Sequence, residues 1–287
     1  AFLSNNRPNN WFGMKNRNNP DQGFIFVNSD CEHTLGAPSS QVDRTGPWRG
    51  VSGSNVGNFT YSNPQYMHEE LMMNLEYRLR FADRVRRHMF NGGVITPQAG
   101  TNRFLAKAVQ INKAMRAYEA RWGDANSAGT KYSTTDWTNM INTIVTTWLP
   151  ARTATVLAQL KVDALYPAIE APSFSQHGGE IAEGFALTMT HTNAVGTIYY
   201  TLDGTGPRVV GGATGSTAVP YTGPVILASS TRVKARVLSG STWSARNEAD
   251  FAISGVVALR ISELMYHPAA VSAAEAATTA RTSGSFS

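Results

Sequence analysis

Thr197-Ile198-Tyr199-Tyr200-Thr201-Leu202-Asp203-Gly204 is the stretch that decides the class of the second half of this chain. Residues 197–201 alternate as a half-buried strand does, and Leu202-Asp203-Gly204 is a turn signal. The alternation predicts Tyr199 and Tyr200 on opposite faces. Moving outward, Val225-Ile226-Leu227, Thr231 to Val237 and Glu248 to Ile253 read as further strands. Short strands at intervals of about ten residues predict an immunoglobulin-like β-sandwich, whose usual scale is about eighty residues.

Upstream the texture differs. The change falls near residue 170, where Pro167, Pro172, Gly178 and Gly179 punctuate the chain. Helical periodicity predicts one helix from Gln65 to Phe90, stopped by Asn91-Gly92-Gly93. A second is predicted from Thr101 to Trp122. A third is capped by Ser133-Thr134-Thr135-Asp136 and runs to Trp148, where Pro150 interrupts it, and a fourth runs from Ala151 to Leu165. Met72, Met73 and Met89 read as core. Further upstream, Gly23-Phe24-Ile25-Phe26-Val27 reads as a short buried strand, and residues 36–64 as a long loop. Downstream, Leu259 to Pro268 reads as one strand followed by a small-residue tail. The expected class is therefore α+β and multidomain, with domains at 1–172, 173–255 and 256–287. The last of these is a truncated β domain.

Composition narrows the function. Of 287 residues, 42% are hydrophobic and 10% aromatic, which fits globular protein. No run of about 18 apolar residues offers a membrane span. A single cysteine, Cys31, excludes an internal disulfide framework. Only 16% of residues are charged, and a neutral polar surface suits an extracellular or cell-surface location. The net charge is +5, with arginines at 78, 80, 84, 86 and 87. No nucleic-acid motif accompanies them. They are expected to form a solvated helix face, some paired with Glu76 and Asp83.

Three phrases carry a resemblance: Asn9-Asn10-Trp11-Phe12, Gly23-Phe24-Ile25-Phe26 and Asp30-Cys31-Glu32-His33-Thr34-Leu35. They look like the active-site region of the spore-coat CotH kinase family. Arg80-Phe81-Ala82-Asp83-Arg84-Val85, Phe90-Asn91-Gly92-Gly93, Glu119 to Asp124 and Leu165-Tyr166-Pro167 fit the same family, so the resemblance covers roughly residues 1 to 172. The sandwich resembles the chitobiase/β-hexosaminidase carboxy-terminal type through Ile198 to Gly204, Tyr221-Thr222-Gly223-Pro224 and Val233 to Arg236. Leu259 to Pro268 is similar to the opening of a lamin-tail-like domain.

The resemblance implies a mostly helical, partial kinase-like carboxy-terminal lobe that binds ATP and magnesium. In such a site an Asp and an Asn hold the metal, and an Asp accepts the substrate hydroxyl proton. Magnesium prefers hard oxygen ligands. Asp30 takes the metal-holding role, with Glu32 assisting. Asn10, or else Asn9, is the second metal ligand, and Asn10 is also the cofactor-binding residue. By its residues alone, Asp30 also reads as a turn or cap residue after a strand. His33 reads as a structural hydrogen-bonding residue, and Cys31 as structural rather than nucleophilic.

Where the family usually carries an Asp before the Asn-Trp pair, this chain has Ser4, Asn5, Asn6 and Arg7. An amide cannot take a proton as a carboxylate does, so no catalytic base is assigned. The resemblance also places the nucleotide-gripping Lys and its Glu before Ala1. These residues alone are then expected to be inactive in phosphate transfer and to leave one buried face open.

The implied function is phosphorylation of protein hydroxyls by an atypical kinase outside the cytoplasm. The alternative is a non-catalytic surface or adhesion scaffold that holds a matrix component or glycan. Tyr199, Tyr200, Tyr221 and Trp243 are the sandwich aromatics on which a sugar would stack.

Overall fold

A computed structural model of the protein describes residues 11–19, 21–28, 35, 64–125 and 131–254. The lamin-tail-like stretch at 256–287 lies outside the described residues. The described part is mixed α+β: a hairpin, a set of helices and a β-sandwich.

The hairpin pairs β1 (Trp11–Met14) antiparallel with β2 (Ile25–Asn28). The strand expected to be buried is instead largely open. Phe24 and Ile25 are exposed, while Phe26 and Val27 are half-buried. A two-stranded ribbon has only one partner strand and covers little of its own surface.

The helix predicted over residues 65–90 is two helices, α1 (Pro64–Leu71) and α2 (Leu75–Met89). Asn74 causes the break. Its side-chain carbonyl accepts from the Glu76 N–H at 2.8 Å and the Tyr77 N–H at 3.3 Å, an N-cap that restarts the helix. Met73 sits in the break and is exposed, contrary to the core expectation, whereas Met89 is buried. The stop after α2 is as read from Asn-Gly-Gly. Asn91 and Gly92 take positive φ. A Cβ on Gly93 would stand 2.4 Å from the His88 carbonyl oxygen.

Helix α3 (Pro97–Trp122) begins four residues before the predicted start. Thr96 caps it, and Pro97 occupies the first turn, where its missing N–H costs nothing. Ser133 and Asp136 form a reciprocal capping box at the head of α4 (Thr134–Thr143). Pro150 does not interrupt the chain as expected. A π-turn over Ile144–Trp148 widens the helix just ahead of it, with the Leu149 N–H bonded to the Ile144 carbonyl. The widened turn absorbs the proline, and α5 (Leu149–Val162) continues. Helix α3 packs against α4 and α5. Leu105, Val109, Ile111 and Trp122 of α3 stay exposed.

The sandwich starts with β3 (Ser173–Phe174), β4 (Gly179–Ile181), β5 (Phe185–Leu187) and β6 (Met189–Thr190). It continues with β7 (Thr197–Thr201), β8 (Val219–Pro220) and β9 (Val225–Leu227). The last strands are β10 (Thr231–Ser239), β11 (Thr242–Trp243) and β12 (Asn247–Ile253). The large sheet runs β4-β12-β10-β7-β8, with β11 paired to β10. The small pairs β5-β9 and β3-β6 supply the facing layer. Val233, Ala235 and Val237 of β10 and Ala249, Phe251 and Ile253 of β12 point inward. They meet Leu187, Met189 and Leu227 from the facing strands in one apolar core.

A second core joins the helices to the sandwich. Ala82, Val85 and Met89 of α2 pack with Leu160 of α5, with Leu165, Tyr166 and Ala171, and with Ala245 from the turn between β11 and β12. Helix α2 therefore lies against the outer face of the large sheet.

Candidate functional site

The three residues predicted to hold magnesium and nucleotide, Asn10, Asp30 and Glu32, lie outside the described residues, as do Cys31 and His33. The hairpin that separates them is described. Its register pairs Trp11 with Asn28 and Met14 with Ile25. The chain therefore enters β1 and leaves β2 at the same end of the ribbon. Among the described residues no group of three His, Cys, Asp or Glu is arranged to hold a metal ion.

The described site with the densest chemistry is the seam between α2 and the sandwich. Strand alternation turns Arg236 away from the sandwich core, because Val233, Ala235 and Val237 occupy the inward positions of β10. That outward face would ordinarily meet water. Here α2 covers it, and the Arg236 side chain is only 7% exposed. Its guanidinium donates to Asp83 Oδ2 at 2.5 Å and to the Ser244 carbonyl at 2.7 Å. Asp83 Oδ1 also accepts the Arg246 backbone N–H at 2.9 Å. One carboxylate thus closes two bonds across the seam. Burial pulls the Arg236 pKa down, and the Asp83 charge opposes the shift.

Further polar contacts continue along the seam. Asn247, at the start of β12, accepts from Asn91 at 3.2 Å and donates to the Pro172 carbonyl at 2.9 Å. Arg86 is buried, stacks over the Phe90 ring at 4.4 Å and reaches the same carbonyl at 3.4 Å. At the far end Glu76 takes both prongs of Arg208, at 2.6 and 2.7 Å, and the Gly211 N–H at 2.9 Å. The expectation that Glu76 and Asp83 pair with arginines of their own helix is corrected. Both carboxylates reach instead to arginines of the sandwich.

The Arg208 fork and the Gly211 N–H hold the Glu76 carboxyl down at about 2. An unfolded glutamate titrates near ~4.3. The folded value lies below the unfolded one, so the stability from this clamp is present above pH ~4.3 and is lost as pH falls toward about 2. Glu76→Gln is expected to cost on the order of 1 kcal/mol at pH 6, allowing for solvent screening of a partly exposed pair. In urea titrations at pH 6, 4 and 2.5 the gap between wild type and variant should close stepwise. A gap independent of pH would contradict the clamp.

Around the seam lies a cleft of about 400 Å³. Helix α2 supplies Arg80, Arg84 and Arg87, and the sandwich supplies Arg208, Arg236 and Arg246. Arg246 pairs with Glu248 at 3.0 Å, and Arg87 lies 3.8 Å from the same carboxylate. Sequence reasoning found the α2 arginines but missed those of the sandwich. Strand alternation reads Arg236 as a solvent residue, and nothing local reveals that a helix 150 residues earlier covers it.

The four sandwich aromatics are not a flat open platform. Trp243 is buried, and its indole N–H donates to the Gly212 carbonyl at 2.7 Å. Tyr199 and Tyr200 do point to opposite sides: Tyr199 packs on Trp243, and Tyr200 meets Tyr221 edge-on against the core. The Tyr221 hydroxyl accepts the Met189 N–H at 3.1 Å. His68, on α1, bonds the Tyr77 hydroxyl through Nδ1 at 2.7 Å and packs on Phe81, a structural role. A separate apolar groove of about 420 Å³ runs between α3 and α4, lined by Tyr118, Tyr132, Trp137 and Met140.

The family model described as Fn3 associated matches residues 186–245. The match starts within β5 and ends just beyond β11, so it lies inside the sandwich and marks it as a fibronectin-like module. Neither the curated proteins nor the solved structures contain a match to this chain. No described helix is long and apolar enough to cross a membrane.

Proposed function

We propose that this chain is part of an extracellular CotH-like kinase, in which Asn10 and Asp30 share a magnesium ion bound to ATP and Glu32 assists. One observation supports the reading above the others: the register of the hairpin, with Trp11 opposite Asn28. Asn10 is one residue before that pair and Asp30 two residues after it. One and two residues of chain, at most about 3.6 Å each, join them to the same end of the ribbon. An Asn and an Asp joined to one end of a ribbon by so little chain fit the metal-holding pair of a kinase site. Bound there, Mg·ATP would supply the transferable phosphoryl group. The task of these residues would be to hold the magnesium, through the negative charge of Asp30 and a neutral amide oxygen of Asn10, so that the ion can neutralise the phosphates.

In this reading the helices and the sandwich, joined through the α2 seam, support the site without taking part in it. The sandwich is of the chitobiase carboxy-terminal type, and its aromatics, one buried and three half-buried against neighbouring rings, fit a spacer better than a sugar platform. The substrate is a protein hydroxyl at the cell surface or in its matrix.

Magnesium-dependent ATP binding by the complete gene product, measured by calorimetry, tests the reading. The wild type is expected to bind only with magnesium present, and Asp30→Ala to weaken binding by more than about tenfold. Binding that Asp30→Ala leaves intact would overturn the site. No binding by the wild type would favour the non-catalytic surface scaffold.

A further inference from the structure

We propose that the cleft between α2 and the sandwich binds a small multivalent oxyanion, a molecule bearing two or more phosphate or sulfate groups. The charge count comes first. Six arginines and three carboxylates line the cleft, an excess of three positive charges. The carboxylates are already committed, since Glu76 holds Arg208, Asp83 holds Arg236 and Glu248 holds Arg246. The excess therefore sits on α2.

Geometry concentrates it further. Arg80, Arg84 and Arg87 are spaced by four and three residues, which puts them on one face of the helix. All three are exposed, and all three line the cleft. Arg80 and Arg84 have no carboxylate partner among the described residues, and Arg87 has only the 3.8 Å contact. Like charges at this spacing repel, and an anion between them turns repulsion into attraction.

The chemistry of the donors selects the ligand. A guanidinium presents a planar fork that fits two oxygens of a phosphate or sulfate at once. Several forks converging on one cleft favour several such groups on one molecule. On the sandwich wall, the buried Arg208 Nε has no hydrogen-bond partner among the described residues. Leu79 and Val210 offer an apolar surface for the carbon skeleton. A volume of about 400 Å³ is in the range of small-molecule sites. The proposal rests on this cleft alone and stands apart from the magnesium site.

The test is calorimetry on the full chain in about 150 mM salt, where non-specific attraction is screened beyond about 8 Å. The two probes are pyrophosphate and a trisulfated disaccharide. The variants are Arg80→Gln/Arg84→Gln and, as a control of equal charge change on exposed sites of α3, Lys113→Gln/Arg116→Gln. The wild type is expected to bind one probe saturably at one site, the tighter probe identifying a phosphate or a sulfate source. The α2 double variant should lose about tenfold or more, and the control less than about twofold. Arg84→Lys, which keeps the charge but loses the fork, should fall between wild type and double variant. If the double variant does not fold, Arg84→Lys decides in its place. Absence of saturable binding to both probes, or equal losses in the two double variants, would overturn the proposal.

Discussion

Asp83→Ala is expected to destabilise the protein by about 3–5 kcal/mol, because it strands a buried guanidinium. Both side chains of the pair are nearly sealed, at 7% and 11% exposure for Arg236 and Asp83. Without the carboxylate, Arg236 keeps only the Ser244 carbonyl, and the Arg246 N–H loses its acceptor. Urea unfolding followed by far-ultraviolet dichroism measures the loss as a lowered midpoint. Asp83→Asn keeps an acceptor for Arg246 but not the charge, so its cost should be smaller, about 1.5–3 kcal/mol. Replacing the pair together, Asp83→Leu with Arg236→Met, should recover most of the stability, since a buried ion pair gains little over apolar packing of similar size. A cost below about 1 kcal/mol for Asp83→Ala would mean that the seam opens to water readily.

Tyr166→Ala should cost about 3–5 kcal/mol, in the range of large aromatic truncations in a core. Tyr166 is 1% exposed. It packs in the cluster that joins α2, α5 and the sandwich turn at Ala245, and it stacks with Phe90 at 6.5 Å between centroids. The cavity would therefore weaken both sides of the seam at once. The expected result is one unfolding transition moved down as a unit, with no second one split from it. Burial pushes the Tyr166 phenol up to about 12. Between pH ~10 and 12 the unfolded chain ionises this group and the folded chain does not, so stability falls as pH rises through that window. Ultraviolet titration of the folded wild type should show one late tyrosine that the variant lacks.

Much of the fold was legible in the sequence because its signals are local. The strand at 197–201, the capping box at Ser133 and the Asn-Gly-Gly stop each depend on neighbouring residues. The failures share a physical cause. Asn74 was invisible inside a periodic run because an N-cap bond is a choice of side-chain rotamer, not of period. Pro150 reads as an interruption, yet a π-turn accommodates it. The Phe24-Ile25 run is apolar enough for a buried strand, but apolar content is not burial, and a ribbon of two described strands leaves its faces open. The seam was the largest omission. Asp83 and Arg236 are 153 residues apart, and each by itself reads as a surface charge. Only the docking of α2 on the outer face of the sheet makes them a buried pair.

The proposed magnesium site was legible only through resemblance, and the hairpin register adds the single geometric constraint on it. The most direct test is a double-mutant cycle on Mg·ATP affinity in the complete gene product, with Asn10→Ala, Asp30→Ala and the double variant measured by calorimetry. If both side chains hold one metal ion, each single variant loses about tenfold or more, and the double variant loses little beyond the worse single one. Losses that simply multiply, or an Asn10→Ala variant that binds as the wild type does, would contradict a shared ion at the end of the hairpin.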